Sequence, residues 1–235
     1  MKKIIFIVAA VLLSVALVVS AVVYFAVLRP RQLEQREFQA AVSRYRAEKN
    51  KIFLGENEKY TDYEVDVAFL GDSLTDGYDV ARYYPQFVVC NRGIGGDTTF
   101  DLEARLQVSA YDLKPKTVVL LIGVNNLSTM FDNYEKILVG LRENLPETKV
   151  VLLSLTNMGQ EWGKNNELAA YNNVKIKMLA EKYGFAFVDL YSPLMNLETG
   201  EIYPEYTTDG GHLTEKGYEV LTRQITPVLE AELGK

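Results

Sequence analysis

Cysteine, histidine and tryptophan each occur once in this 235-residue sequence, as Cys90, His212 and Trp162. A single cysteine excludes an intrachain disulfide and any thiolate metal cage. It closes an apolar, strand-like run and reads as a buried structural thiol. A single histidine means that chemistry needing an imidazole has one place to find it. Internal repeats and low-complexity tracts are absent. Basic charge is scarce once the amino terminus is passed. Lys2, Lys3, Arg29 and Arg31 are four of the 25 Lys+Arg, so the chain from Gln32 on holds 21 against 31 acidic residues, a net charge of about −10. A domain of that sign repels phosphate backbones, which argues against nucleic acid as a partner.

Charge is missing altogether from Ile4 to Leu28, an almost wholly apolar run. Twenty-five residues at about 1.5 Å each can cross a hydrocarbon core of about 30 Å. Val19-Ser20-Ala21 offers small residues to a signal peptidase, and secretion after cleavage is the competing reading. The apolar run continues through Leu28, longer than an ordinary signal core, and favours an uncleaved single-pass anchor. Lys2 and Lys3 on the short amino tail favour an extracytoplasmic domain, although Arg29, Arg31 and Arg36 weigh on the other flank. The expected organisation is an anchor over residues 1–31, a helical stalk or linker over 32–60 and a globular domain over 61–235. Within the stalk, Phe38, Ala41, Val42 and Tyr45 fall at helical spacing, and Gly55-Glu56-Asn57-Glu58-Lys59 reads as the linker to the first strand.

From there apolar runs alternate with helical patterns. Strands are expected near Val65–Leu70, Phe87–Asn91, Thr117–Ile122, Val150–Leu155 and Phe185–Leu190. Helices carry Leu102 and Leu106, then Tyr134 to Leu141, then Leu168–Lys182 and Thr214–Leu233, the last with Pro227 expected to bend it. Runs without strict alternation suit strands covered on both faces. The fold class is therefore α/β, a parallel five-stranded sheet between helical layers.

Ligands of such sheets bind at the carboxyl ends of the strands. Gly71-Asp72-Ser73-Leu74 leaves the first strand there, Gly93-Ile94-Gly95-Gly96-Asp97 the second, and Gly123-Val124-Asn125 the third. Asp209-Gly210-Gly211-His212 precedes the last helix. Ser73 by itself could be a helix cap. With an imidazole and a carboxylate nearby it becomes a candidate nucleophile, because a serine hydroxyl needs an adjacent base. His212 would be that base and Asp209 would hold its other ring nitrogen. The N–H groups of Ser73 and Gly96 and the Asn125 amide could bind the developing oxyanion. The glycine-rich turn lacks the Gly-Lys-Ser/Thr ending of a P-loop, which argues against nucleotide binding.

These four blocks, in this order over about Val65 to Leu233, resemble the GDSL, or SGNH, serine esterases and lipases, lysophospholipase-like enzymes among them. The resemblance implies a flavodoxin-like α/β/α sandwich and a hydrolase without metal or cofactor. It implies Ser73, Asp209 and His212 as catalytic triad, and Ser73, Gly96 and Asn125 as oxyanion hole. One departure is Asn126, where the third block usually has aspartate; local hydrogen bonding is expected to change more than chemistry. Asp72 and Trp162 are weaker candidates for substrate contact, Trp162 in a loop, about Asn157 to Asn166, that could act as a lid. The expected activity is hydrolysis of carboxylic esters by a membrane-anchored enzyme. Its substrates would be short acyl or acetyl esters of envelope carbohydrates, or lysophospholipid-type lipids. The alternative is a catalytically silent, membrane-tethered carbohydrate- or lipid-binding protein on the same fold.

Overall fold

The computed structural model describes residues 2–234; the side chains at 2, 3, 5, 7–11, 18, 27, 38 and 39 lie outside the description. Two compact units emerge, Met1–Glu48 and Lys49–Lys235.

The first unit is helical: α1 (Lys2–Val23), a π-helical turn at Tyr24–Leu28, then the start of α2 (Arg29–Asn57). Ile4, Phe6, Leu12, Leu13 and Leu17 are all exposed. Among the described residues this is the one helix long and apolar enough to cross a membrane. Along the stalk pattern Ala41 and Tyr45 are exposed, and the side chain of Phe38 falls outside the described residues.

The second unit holds the sheet. Its strands are β1 (Val67–Gly71), β2 (Val89–Gly93), β3 (Thr117–Leu121), β4 (Lys149–Leu153) and β5 (Ala186–Val188). All neighbours pair parallel in the order β2-β1-β3-β4-β5, the flavodoxin-like arrangement expected. Side chains alternate between two cores. Ala68, Leu70, Val118, Leu120 and Leu152 join one, with Leu102, Ile137, Leu141 and Ile176. Val67, Phe69, Val119, Leu121 and Val151 join the other, with Leu74, Leu221 and Ile225. Strands that feed two cores have no polar face, hence the unbroken apolar runs. The helices beyond α2 are α3 (Ser73–Asp76), α4 (Val80–Tyr83), α5 (Thr99–Ala104), α6 (Phe131–Asn144), α7 (Asn166–Tyr183), α8 (Tyr191–Leu194) and α9 (Glu215–Leu233). Thr98 and Asp101 form a reciprocal capping box that starts α5. The last helix runs continuously through Pro227.

Two local expectations change. The segment Gly55–Lys59, read as linker, is helical as far as Asn57. The helix continues because Glu56 and Asn57 meet the buried Arg92 side chain, which pairs with Glu56 and donates to Asn57 Oδ1 at 2.9 Å. The second strand begins and ends two residues later than expected, with Val67 opposite Val89, and Phe87 buried in the core beyond its start.

The sheet order reverses between β1 and β3. The chain leaves β1 toward β2 on one side and leaves β3 toward β4 on the other, so a crevice opens at their carboxyl ends.

Candidate active site

Ser73 stands at that crevice as the first residue of α3, with only Asp72 between it and the end of β1. Asp72 caps the helix by accepting the Leu74 N–H at 3.1 Å. The loop before α9 approaches from the opposite side. His212 Nε2 lies 3.2 Å from Ser73 Oγ, and His212 Nδ1 lies 2.7 Å from Asp209 Oδ2. The other carboxylate oxygen, Oδ1, accepts the N–H groups of Gly211 at 2.9 Å and His212 at 2.7 Å. Those bonds, led by the one from the imidazole, hold the Asp209 carboxyl down at about 2, so it is ionised throughout the neutral range.

The loop is built to hold this pose. The His212 carbonyl accepts from Thr207 Oγ1 at 2.7 Å and from the Thr208 N–H at 2.9 Å. The Thr214 hydroxyl donates to the Glu205 carbonyl, so the short turn Pro204–Tyr206 serves as its footing. Gly210 has φ of +87°, and a Cβ there would come 2.3 Å from the Gly159 carbonyl oxygen. Only glycine allows the two loops to touch, and the Gly159 N–H donates to the Gly210 carbonyl across that contact.

The three expected oxyanion donors come from three separate segments, after β1, after β2 and after β3. The N–H groups of Ser73 and Gly96 have no acceptor among the described residues. Asn125 Nδ2 donates to the Asp97 carbonyl at 3.0 Å, which leaves one hydrogen of that amide over. Asp97 is fully buried and paired to Arg105 Nε at 2.7 Å. Arg105 also donates to the carbonyls of Gly71 and Arg92 and so clamps the ends of β1 and β2 together. Arg105 carries no motif in the sequence: it lies between Leu102 and Leu106 on the apolar side of the helical pattern, and periodicity does not show that its guanidinium has buried acceptors to meet. Asn126, the departure in the third block, accepts the Thr99 N–H at 3.2 Å and donates to its hydroxyl at 2.9 Å. An aspartate could accept from the same two groups, so the change stays local.

A cavity of about 490 Å³ opens beside Ser73 and His212, walled by Val124, Asn125, Leu127, Met158, Trp162 and Leu168. Trp162 is 45% exposed on the turn Gln160–Asn165. The side chain of Asn166 closes that loop by bonding both the N–H and the carbonyl of Met158, each at 2.8 Å. Gly96 and Asp72 are not among the lining residues.

Asp72 is 1% exposed. Burial first, and then the charge of Asp97, push its carboxyl up to about 7, against the pull of the Leu74 N–H and His212. A carboxyl raised in the folded state favours folding fully below its unfolded value near 3.8, and that benefit is lost as pH rises to about 7. Asparagine caps helices as well as aspartate and carries no charge. Asp72→Asn should therefore gain on the parent by up to about 3 kcal/mol between pH 4 and pH 8. Denaturant unfolding at the two pH values measures this; a stability difference that does not move with pH contradicts it.

Residues 69–220 match the model of the GDSL-like Lipase/Acylhydrolase family. An acetylxylan esterase from Geobacillus stearothermophilus is 26% identical over 200 residues, 66% of this chain and 89% of that one. Among solved structures, a GDSL-like lipase from Bacteroides thetaiotaomicron superposes with a TM-score of 0.69 at 24% identity, covering 77% of this chain and 97% of that one. An acetylxylan esterase structure from Geobacillus stearothermophilus gives 0.58 at 24% identity, covering 74% and 96%. At such identities the two superpositions speak for the fold alone. The family model spans well over half of the sequence, and on that ground the chain belongs to the GDSL-like lipase/acylhydrolase family and is a carboxylic-ester hydrolase.

Proposed function

We propose that the chain is a membrane-anchored serine esterase that releases short acyl groups, acetyl above all, from carbohydrate esters outside the cytoplasm. The observation that carries the reading is His212, hydrogen-bonded on one ring nitrogen to Asp209 and on the other to Ser73. In the first half-reaction Ser73 Oγ bonds to the ester carbonyl carbon while its proton passes to His212 Nε2. The carbonyl oxygen, now an anion, meets the N–H groups of Ser73 and Gly96 and the Asn125 amide. The intermediate collapses as the alkoxide leaves with the proton from Nε2. Water then takes the place of the alcohol, gives a proton to Nε2, and bonds to the acyl carbon. The Oγ–acyl bond then breaks as Nε2 returns that proton to Ser73 Oγ, and the acid departs.

The cavity supports the substrate class. Trp162 offers a flat apolar face such as a sugar ring packs on, and Asn125, Asn126, Ser128 and Asn165 supply polar groups around it. The relative named as an acetylxylan esterase agrees with an acetylated carbohydrate. The apolar α1 supports the anchor, with Lys2 and Lys3 on the cytoplasmic side.

A fluorophosphonate probe tests the reading, since phosphorus accepts Ser73 Oγ and loses fluoride. The native chain should label on Ser73, and the same preparation should turn over p-nitrophenyl acetate faster than the octanoate. A native chain that takes no label overturns Ser73 as the nucleophile and the triad chemistry with it. Labelling with octanoate preferred overturns the short-acyl substrate and points to lipid esters.

A further inference from the structure

Asp76 closes α3 three residues after Ser73, and its carboxylate is shared between two elements. Oδ2 accepts the Gly95 N–H at 2.9 Å, and Oδ1 pairs with Lys49 Nζ of α2 at 2.7 Å. Both side chains are largely buried, Lys49 at 19% exposed and Asp76 at 16%. Gly93 permits the contact: a Cβ there would come 2.2 Å from the Asp76 backbone nitrogen, so α3 rests directly on the end of β2. One carboxylate thus ties the turn bearing Ser73 to the residue before Gly96, and an ammonium from α2 holds that carboxylate. The same stretch of α2 grips the base of the loop through Arg92. Its guanidinium lies 4.7 Å over the Phe53 ring, pairs with Glu56 and bonds Asn57.

We infer that Lys49 and Asp76 are positioning residues for the oxyanion site, setting the separation between the Ser73 and Gly96 N–H groups. The inference rests on the proposed roles of Ser73 and Gly96. Removing one member of a largely buried ion pair takes away the other's counter-charge. Without Lys49, the Asp76 carboxylate shifts on its remaining contacts and carries Gly95 with it. Without Asp76, Gly95 loses its acceptor and Lys49 its counter-charge. In either case the Gly96 donor drifts from where the anion forms. Neither side chain lines the cavity, so ground-state binding is left intact and the loss falls on kcat.

The test uses the full chain in detergent with p-nitrophenyl acetate. A misplacement of about an ångström typically costs about 100-fold, so Asp76→Ala should lower kcat by about that factor and Lys49→Met by about tenfold, with KM changed by less than about twofold. Lys49→Arg keeps the charge and should return kcat to within about threefold of the parent. Ser73→Ala serves as control. An active Ser73→Ala overturns the nucleophile reading and this inference with it. With Ser73→Ala inactive, a parental kcat in Asp76→Ala, or a loss confined to KM, overturns the positioning role alone. If Asp76→Ala fails to fold, the lysine pair decides: equal kcat in Lys49→Met and Lys49→Arg overturns it.

Discussion

Ser73→Ala and His212→Ala are each expected to lower kcat for p-nitrophenyl acetate by about 10⁶-fold. The expectation follows from how few groups share the work. His212 is the only histidine in the sequence, so no other imidazole can take the serine proton. Ser73 Oγ has that nitrogen as its hydrogen-bond partner, at 3.2 Å. Without the base, the hydroxyl stays protonated and unreactive; without the hydroxyl, the base has no nucleophile to serve. The two act as a unit, and the double variant should be scarcely slower than either single one. The fold should survive both changes. The His212 side chain is 57% exposed, and the bonds that shape its loop run through its main-chain carbonyl, which alanine keeps. Unchanged thermal unfolding alongside the kinetic loss separates lost chemistry from lost structure. Substantial turnover by either single variant would mean that another group attacks the ester.

Ser73, Gly96 and Asn125 could be collected from the sequence because each closely follows a strand with a readable apolar run, whereas Asp209 and His212, in the loop before the last helix, had only their spacing and the single imidazole to mark them. Ser73 follows Val67–Gly71 and Asn125 follows Thr117–Leu121, and a parallel sheet brings all such ends to one edge. The resemblance of the four blocks then supplied the order. What could not be read was the support beneath them. Arg92 stands in a stretch that looks like a glycine-rich loop, yet its side chain is fully buried and its partners lie 35 and 36 residues earlier. Glu56 and Asn57 looked like linker because nothing local shows that a buried guanidinium awaits them. Lys49 and Asp76 are ordinary surface residues by pattern, and their pairing exists only once α2 is packed on β2. Hydrophobic periodicity reports which face of an element is buried. It is silent about ion pairs between distant segments, and the scaffold of this site is made of those.

The carboxylate behind the histidine permits a sharper expectation than its removal would. In Asp209→Asn the side-chain oxygen should stay where Oδ1 now sits, because the N–H groups of Gly211 and His212, at 2.9 and 2.7 Å, require an acceptor there. The new NH₂ then replaces Oδ2, 2.7 Å from His212 Nδ1. An NH₂ can only donate, so Nδ1 must become the acceptor and the ring proton must move to Nε2. That nitrogen faces Ser73 Oγ and can no longer take its proton. The loop, the cavity and the position of every heavy atom are preserved, while the tautomer is reversed. Catalysis should fall by about 10⁴-fold in kcat with KM little changed. Asp209 lines no part of the cavity, so a rise in KM has no source in this geometry. Its carboxyl, held at about 2, contributes no titration near neutrality either, so the parent should show no acid limb from this residue at pH 4 to 8. An Asp209→Asn variant within about tenfold of the parent would show that the carboxylate does not select the tautomer, and that His212 is oriented by its loop alone.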